Sequence, residues 1–352
     1  MPTGTGKTFI SYGLVKHYVD QNKRILFTVP KVQLVKQTQK NFQQFSEEIS
    51  KDTYIIHGGI STDAPEEYHL VISTWQSIYK EPREWFKKFD VLISDECHSC
   101  KAPSLKYIAN SCINADNRHG LTGTLDGVSV NELLIQGLFG PVCSTITISE
   151  AQSRNFLASL NIQVIRIKYE EQPLYRMSYE KETTWSISNN NRNNFIINLA
   201  LSLEGNTLVL FERVEKHGEV LFDLLKKKQP SSENCYFISG KIDIETRENI
   251  RNSVENEDKS IIIASYKTFA TGIDIKNLHN IIFASAYKSK VLTLQAIGRG
   301  LRISDKGTTL YDCVDDLRQP KTQANYGFIR SLKRLEYYRK EQQQVKINTI
   351  NL

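Results

Sequence analysis

The feature that most constrains this chain is a rhythm. Short runs of β-branched and aromatic residues alternate with longer stretches whose apolar positions fall at helical spacing. Ile25-Leu26-Phe27-Thr28-Val29 reads as a buried strand, and residues 32–45 read as the helix that follows it. Residues 54–56, 70–73, 91–94 and 119–122 continue the strand series. Strands separated by helices form parallel sheets covered on both faces, so the first half of the chain predicts an α/β layer structure.

The second half repeats the scheme. Residues 207–211, 235–238, 260–264, 280–284 and 309–312 predict strands, with helices over 193–203 and 214–227. A boundary falls near residues 145–162, after Leu138-Phe139-Gly140-Pro141, and residues 162–169 then open the second lobe. The expectation is an α/β chain of two tandem parallel-sheet lobes, residues 1–150 and residues 160–352. The Asn-rich stretch 188–194 fits a turn with an N-cap better than a flexible loop, because an apolar helix follows. Residues 326–344 predict a basic helix carrying Ile329, Leu332, Leu335 and Tyr338 on or near one face. Docking on the second lobe with its charges in water is preferred to a dedicated DNA-binding role.

Composition sets outer limits. A chain of 352 residues is long enough for two buried cores. The net charge of +6 suits a polyanionic partner without singling one out. No apolar run approaches the roughly 20 residues that span a bilayer. The N-terminus lacks a basic-then-apolar export pattern, so a cytoplasmic protein with no membrane partner is expected. Cys97 and Cys100 bracket His98, and Cys112 follows, but no second ligand pair at comparable spacing completes a zinc site. Reduced thiols are the expectation.

Four segments carry chemistry. Pro2-Thr3-Gly4-Thr5-Gly6-Lys7-Thr8 precedes a helical stretch and is most of a phosphate-binding loop. Its glycines let backbone N–H groups turn around phosphates, its lysine reaches the β and γ phosphates, and Thr8 can ligate Mg²⁺. Asp95-Glu96-Cys97-His98 follows an apolar strand, where an α/β sheet opens its ligand crevice. Asp95 would hold Mg²⁺, mostly through water, and Glu96 would orient and deprotonate an attacking water. His98 would link that site to Thr122-Gly123-Thr124, a small hydroxyl turn after the next strand. Gln295-Ala296-Ile297-Gly298-Arg299-Gly300-Leu301-Arg302 places two arginines three apart on one helical face. Those arginines can stabilise charge on a γ-phosphate, and Gln295 can contact the nucleotide or its water. Two glycines argue against a plain surface helix here.

Ala270-Thr271-Gly272-Ile273-Asp274 lies between the last two of these boxes. In this order the boxes resemble the superfamily 2 helicases over nearly the whole chain. Among them the phage recombination helicases are most similar, through Ser73-Thr74-Trp75-Gln76, the Asp-Glu-Cys-His box, residues 239–247, residues 264–279 and Asn351-Leu352. The resemblance implies two RecA-like lobes with ATP and Mg²⁺ between them. Gly4, Thr5, Gly6, Lys7 and Thr8 would hold the nucleotide, with Gly272 and Asp274 near its ribose; Thr8 and Asp95 would hold the metal. Pro30, Lys31, Ser73, Thr74, Gln76, Thr122 and Thr124 would line a nucleic-acid track on the first lobe. Arg213, within the stretch 211–217, and Thr271 would continue it on the second. Such contacts position a strand without reading its sequence. The implied work is unwinding or branch migration of D-loops, R-loops and stalled forks in recombination and repair, on branched or single-stranded DNA, in a bacterial host's cytoplasm.

One departure stands out. Met1 occupies the place of the loop's first glycine, and the strand that should feed the loop, a glutamine motif and an accessory domain are all missing from the pattern. The sequence thus reads as a fragment that binds ATP weakly and hydrolyses it slowly, served by a separate N-terminal portion or by recombination proteins. Two rival readings share its motifs: the translocase part of a restriction system, and an ATPase-weak nucleic-acid-binding piece.

Overall fold

A computed structural model of the chain describes residues 4–125, 128–143, 146–171, 173, 177–230, 234–272, 275, 277–301, 307–318 and 324–352. Contacts divide it into two compact units, Thr3–Thr145 and Ile146–Leu352.

The first unit runs α1 (Lys7–Val19), β1 (Ile25–Val29), α2 (Val32–Phe45), α3 (Glu47–Lys51), β2 (Thr53–Ile56), β3 (Leu70–Thr74), α4 (Trp75–Ile78) and α5 (Arg83–Phe86). It continues through β4 (Val91–Asp95), a 3-10 turn (Cys97–Lys101), α6 (Pro103–Ser111), β5 (Asn117–Leu121) and α7 (Ser129–Phe139). The five strands form one sheet in the order β2-β3-β1-β4-β5, and every neighbouring pair is parallel. β1 and β3 are buried along their whole length, which is why they read as continuous apolar runs. Ile25, Phe27, Ile72 and Ile93 point into the core shared with α1 and α2, whereas Leu26, Val71 and Leu92 point into the core beneath Trp75, Phe86 and Leu105. α6 starts at Pro103, whose missing N–H is no loss in a first turn.

The second unit runs α8 (Ile148–Ser153), β6 (Leu160–Lys168), α9 (Tyr179–Ser188), α10 (Asn190–Ser202), β7 (Thr207–Phe211), a π-turn (Val214–Gly218), α11 (Glu219–Lys228) and β8 (Cys235–Ile238). It ends with α12 (Ile244–Glu255), β9 (Ile261–Ser265), α13 (Tyr266–Gly272), β10 (Asn280–Phe283), α14 (Lys290–Gly300), β11 (Thr308–Asp315), α15 (Tyr326–Lys340) and β12 (Val345–Asn351). Its seven-stranded sheet has the order β12-β6-β11-β10-β7-β9-β8, again parallel throughout. Side-chain caps start the helices where the sequence supplies them. Thr147 and Glu150 form a capping box on α8, and Asn189, Asp243 and Ser289 accept the amides of Arg192, Thr246 and Leu292.

Three elements differ from the sequence expectation. The helix expected over 214–227 splits into a π-turn, Val214–Gly218, and α11; at Gly218 a Cβ would collide with the Phe211 ring. On α15 the buried face is Phe328, Ser331, Arg334, Leu335 and Tyr338, while Ile329 and Leu332 stay in water. β12 was not expected; it adds an edge strand parallel to β6.

Candidate active site

Strand register decides which residues meet in the first unit. Val29 pairs with Thr74, Thr28 lies level with Ser94, and Asp95 pairs with Leu121. All four strands therefore release their chains at one end of the sheet, where parallel α/β sheets carry their ligand crevice. Pro30-Lys31, Gln76, Asp95-Glu96-His98 and Thr122-Thr124 gather there, and Gln76 Nε2 donates to the Pro30 carbonyl at 3.3 Å. Ser73 and Thr74 are buried. The Ser73 hydroxyl donates to the carbonyls of Ile56 and Thr74, and Thr74 Oγ1 caps α4 by accepting the Ser77 amide. Any role for these two passes through the turn they hold.

The loop before α1 has Gly4 at φ 89° and Gly6 at φ 85°, a left-handed conformation that side chains with a Cβ rarely adopt. This turn leaves the first amides of α1 without a side-chain cap, and no acidic residue sits in the first turn. An uncapped helix N-terminus with Lys7 and Thr8 at its start is a ready seat for an anion.

Asp95 closes β4. The protein packed around it raises its carboxyl from the ordinary 3.8 to about 6; the Glu96 charge adds to this, while the Lys7 ammonium and the Glu96 amide, which donates to Asp95 Oδ1 at 2.9 Å, oppose it. Lys7 thus acts on Asp95 across the sheet end. Glu96 has φ 51° and ψ 43°, a left-handed conformation uncommon for a residue with a side chain. That twist brings Glu96 Oε2 within 3.1 Å of His98 Nδ1, which also meets Thr122 Oγ1 at 3.0 Å. Thr122 Oγ1 in turn accepts the Thr124 amide. One imidazole therefore joins the strand-end carboxylate to the hydroxyl turn after β5. Gly120 must be glycine for space: a Cβ there would lie 2.9 Å from Cys97 Sγ. Cys97 and Cys112 are core residues, and burial lifts the Cys112 thiol to about 12.

In the second unit Phe211 pairs with Ser265, Leu210 with Phe283, and Phe283 with Asp312. Arg213 precedes the π-turn, half-buried. Gln295 lies on α14, largely buried. The backbones of Thr271 and Gly272 belong to α13 and that of Arg299 to α14. The side chains of Thr271 and Arg299, and the whole of Asp274 and Arg302, lie outside the described residues.

Residues 1–127 match the family described as type III restriction enzyme, res subunit, and residues 191–304 match the helicase conserved C-terminal domain. The ATP-dependent DNA helicase uvsW of Enterobacteria phage T4 is 32% identical to this chain, over all of it and 73% of that protein. The chain belongs to the superfamily 2 helicases. A type I restriction enzyme EcoAI endonuclease subunit from Escherichia coli is 23% identical over 91% of this chain and 43% of its own length. A solved fragment of a putative HsdR subunit from Vibrio vulnificus superposes with a TM-score of 0.70 at 19% identity, covering 100% of this chain and 64% of that one. At that identity the likeness speaks for the fold alone, two parallel-sheet lobes of the helicase type.

Several residues of this helicase that sequence reasoning passed over are fully buried and ionic. Arg192 donates through Nε to Asp315 Oδ1 at 2.6 Å, and Tyr169 Oη donates to the same oxygen. Arg334 holds Asp312 through two bonds, and Tyr338 Oη adds a third. His217 is buried with Nδ1 3.2 Å from Ser285 Oγ, and burial together with Arg192 keeps it neutral at ordinary pH. The available signal was position: Arg192 and Arg334 share the helical period of the apolar residues around them. Among the described residues no helix is long and apolar enough to cross a membrane, and no three His, Cys, Asp or Glu side chains converge as metal ligands.

Proposed function

We propose that this chain is an ATP-dependent DNA helicase or translocase that works on branched DNA in recombination and repair. The observation that carries the chemistry is the junction at the end of β4, where Asp95 lies under the influence of Lys7 and His98 bridges Glu96 and Thr122. The relative that supports the finer role is the phage T4 DNA helicase.

The loop Gly4-Thr5-Gly6-Lys7-Thr8 holds the nucleotide phosphates. The site suits Mg²⁺ held by few protein ligands: Thr8 and Asp95 would bind it, with phosphate oxygens and water completing the shell. There it would offset the phosphate charge. Glu96 takes the proton as a water oxygen attacks the γ-phosphorus, and the bond to the β,γ-bridging oxygen breaks to release ADP. By the family resemblance, Gln295, Arg299 and Arg302 would act on the same phosphate, and Gly272 and Asp274 would serve the ribose. His98 and Thr122 carry the state of the nucleotide site to a strand of nucleic acid along Pro30, Lys31, Gln76, Thr124, Arg213 and Thr271, with Ser73 and Thr74 holding the turn beneath it.

Three single variants test the motor. Lys7→Ala, Glu96→Gln and Arg302→Ala are each expected to reduce DNA-stimulated ATP hydrolysis by at least about a hundredfold. Undiminished hydrolysis in all three defeats the assignment. The similarity to restriction subunits favours a second reading, a translocase with no taste for junctions. Competition among a forked DNA, a four-way junction, an R-loop and plain duplex separates the two. Equal binding to all four would favour the restriction-type motor.

A further inference from the structure

The six-residue connection from β10 to α14, residues 284–289, is held in an unusual way. Four consecutive carbonyl oxygens each accept a hydrogen bond from a different side chain. Arg192 Nη2 donates to Ala284 O at 2.8 Å, and Tyr266 Oη donates to Ser285 O at 3.2 Å. Arg330 Nη1 donates to Ala286 O at 3.1 Å, and Arg334 Nη1 donates to Tyr287 O at 3.1 Å. The donors come from α10, α13 and α15, so three helices converge on one short segment.

The donors are themselves fixed. Arg192 and Arg334 are locked by Asp315 and Asp312, both on β11, the strand beside β10. Arg330 lies 4.0 Å over the Tyr179 ring and donates to its hydroxyl at 2.6 Å. The Ser285 hydroxyl oxygen accepts the Glu212 amide at 3.2 Å, which ties the segment to the residue before Arg213. Connecting loops ordinarily leave their carbonyls to water. Three arginines and a tyrosine around four peptide units far exceed what a simple turn requires.

We propose that Arg192, Tyr266, Arg330 and Arg334 are positioning residues for ATP hydrolysis: they fix residues 284–287 and thereby the placement of α14, which carries Gln295 and Arg299. This rests on the reading of α14 as the second lobe's nucleotide-facing helix. A catalytic group displaced by about an ångström loses most of its effect on the transition state while ground-state binding survives. Loosening the segment therefore lowers the rate of the chemical step and leaves nucleotide affinity nearly unchanged.

Arg330 is the informative position, because it is only half-buried and, among the described residues, pairs with no carboxylate. Tyr266→Phe is the second, since it deletes one hydroxyl and keeps the packing. Single-turnover hydrolysis of labelled ATP, with the full chain in excess over nucleotide and DNA present, yields a maximal rate and a half-saturating protein concentration. Arg330→Ala is expected to lower the maximal rate roughly tenfold with half-saturation within about twofold. Arg330→Lys should recover a substantial part, and Tyr266→Phe should lower the rate several-fold. Amide exchange in residues 290–298 should quicken in Arg330→Ala and Tyr266→Phe. An unchanged rate and unchanged exchange in both variants overturns the proposal. If Arg330→Ala melts early, Tyr266→Phe decides alone. Arg299→Ala is the reference: wild-type hydrolysis there removes the reading of α14 itself, whereas loss there with normal Arg330→Ala removes only the positioning role.

Discussion

Asp95 shows what a single residue is asked to tolerate. Its carboxyl sits beside Glu96 and is withdrawn from water, so the protonated form is favoured up to about pH 6. The native state then binds a proton that the unfolded chain releases near 3.8, and the sign of the pH dependence follows. In metal-free protein this site contributes most to stability below about pH 4, and that contribution is lost as the pH rises through about 6. Asp95→Asn is neutral at every pH. Urea denaturation in a chelator should find the variant more stable than the wild type at about pH 8, by on the order of 1–2 kcal/mol, and equal to it at about pH 4. A variant less stable than wild type at the higher pH would contradict this account. At this scale the sequence was most legible, since Lys7, Asp95, Glu96 and His98 sit in short motifs whose chemistry dictates their spacing. It was least legible for Ser73 and Thr74. Their hydroxyls look like phosphate contacts in a linear reading but satisfy backbone groups in the fold.

At the scale of elements, strands declared themselves because parallel strands buried on both faces are continuous apolar runs; β1, β3, β7 and β9 are buried at every position. β12 escaped because an edge strand needs only one covered face, and its polar residues continue the tone of the basic helix before it. The π-turn escaped because its residues, Val214–Gly218, carry no pattern that separates it from an ordinary first helical turn. On α10 the Asn189 cap was readable, but the pairing of Arg192 with Asp315, 123 residues away, was not. That pair docks α10 on β11 in a site closed to water. Removing one partner strands the other, so Asp315→Leu is expected to destabilise the protein by about 3–5 kcal/mol. Arg192→Met with Asp315→Leu should recover at least half of that loss, because two apolar groups replace two charges. Chemical denaturation of the two variants measures the difference, and a double variant no better than the single would refute the uncompensated-charge explanation.

At the scale of the whole molecule the two units are unequally finished. Residues 146–352 wrap a seven-stranded sheet in two buried clusters, anchored by two fully buried arginine–aspartate pairs. Among the described residues the first unit has five strands, and its edge strand β5 is half-exposed or exposed at every position. Among the described residues it also carries most of the large apolar side chains left in water, including Phe9 at 62%, Val130 at 76% and Leu133 at 71%. Apolar surface left exposed contributes nothing to folding, at about 25 cal/mol for each Å² not buried. Each unit has its own core, so the chain is expected to unfold in steps, with the first unit leading. Hydrogen exchange followed through a urea titration should show β1, β3 and β4 losing protection at a lower concentration than β7, β9 and β10. Residues 146–352 expressed alone should melt in one cooperative transition. Simultaneous loss of protection in both sheets, or a fragment that melts without cooperativity, would mean that the stability of the second unit depends on the first. The separation of cores has a consequence for the motor. A substitution such as Lys7→Ala or Glu96→Gln should lower hydrolysis while leaving the protection of β7, β9 and β10 unchanged, because Lys7 and Glu96 belong to the first unit and the residues that stabilise the second sheet to the other.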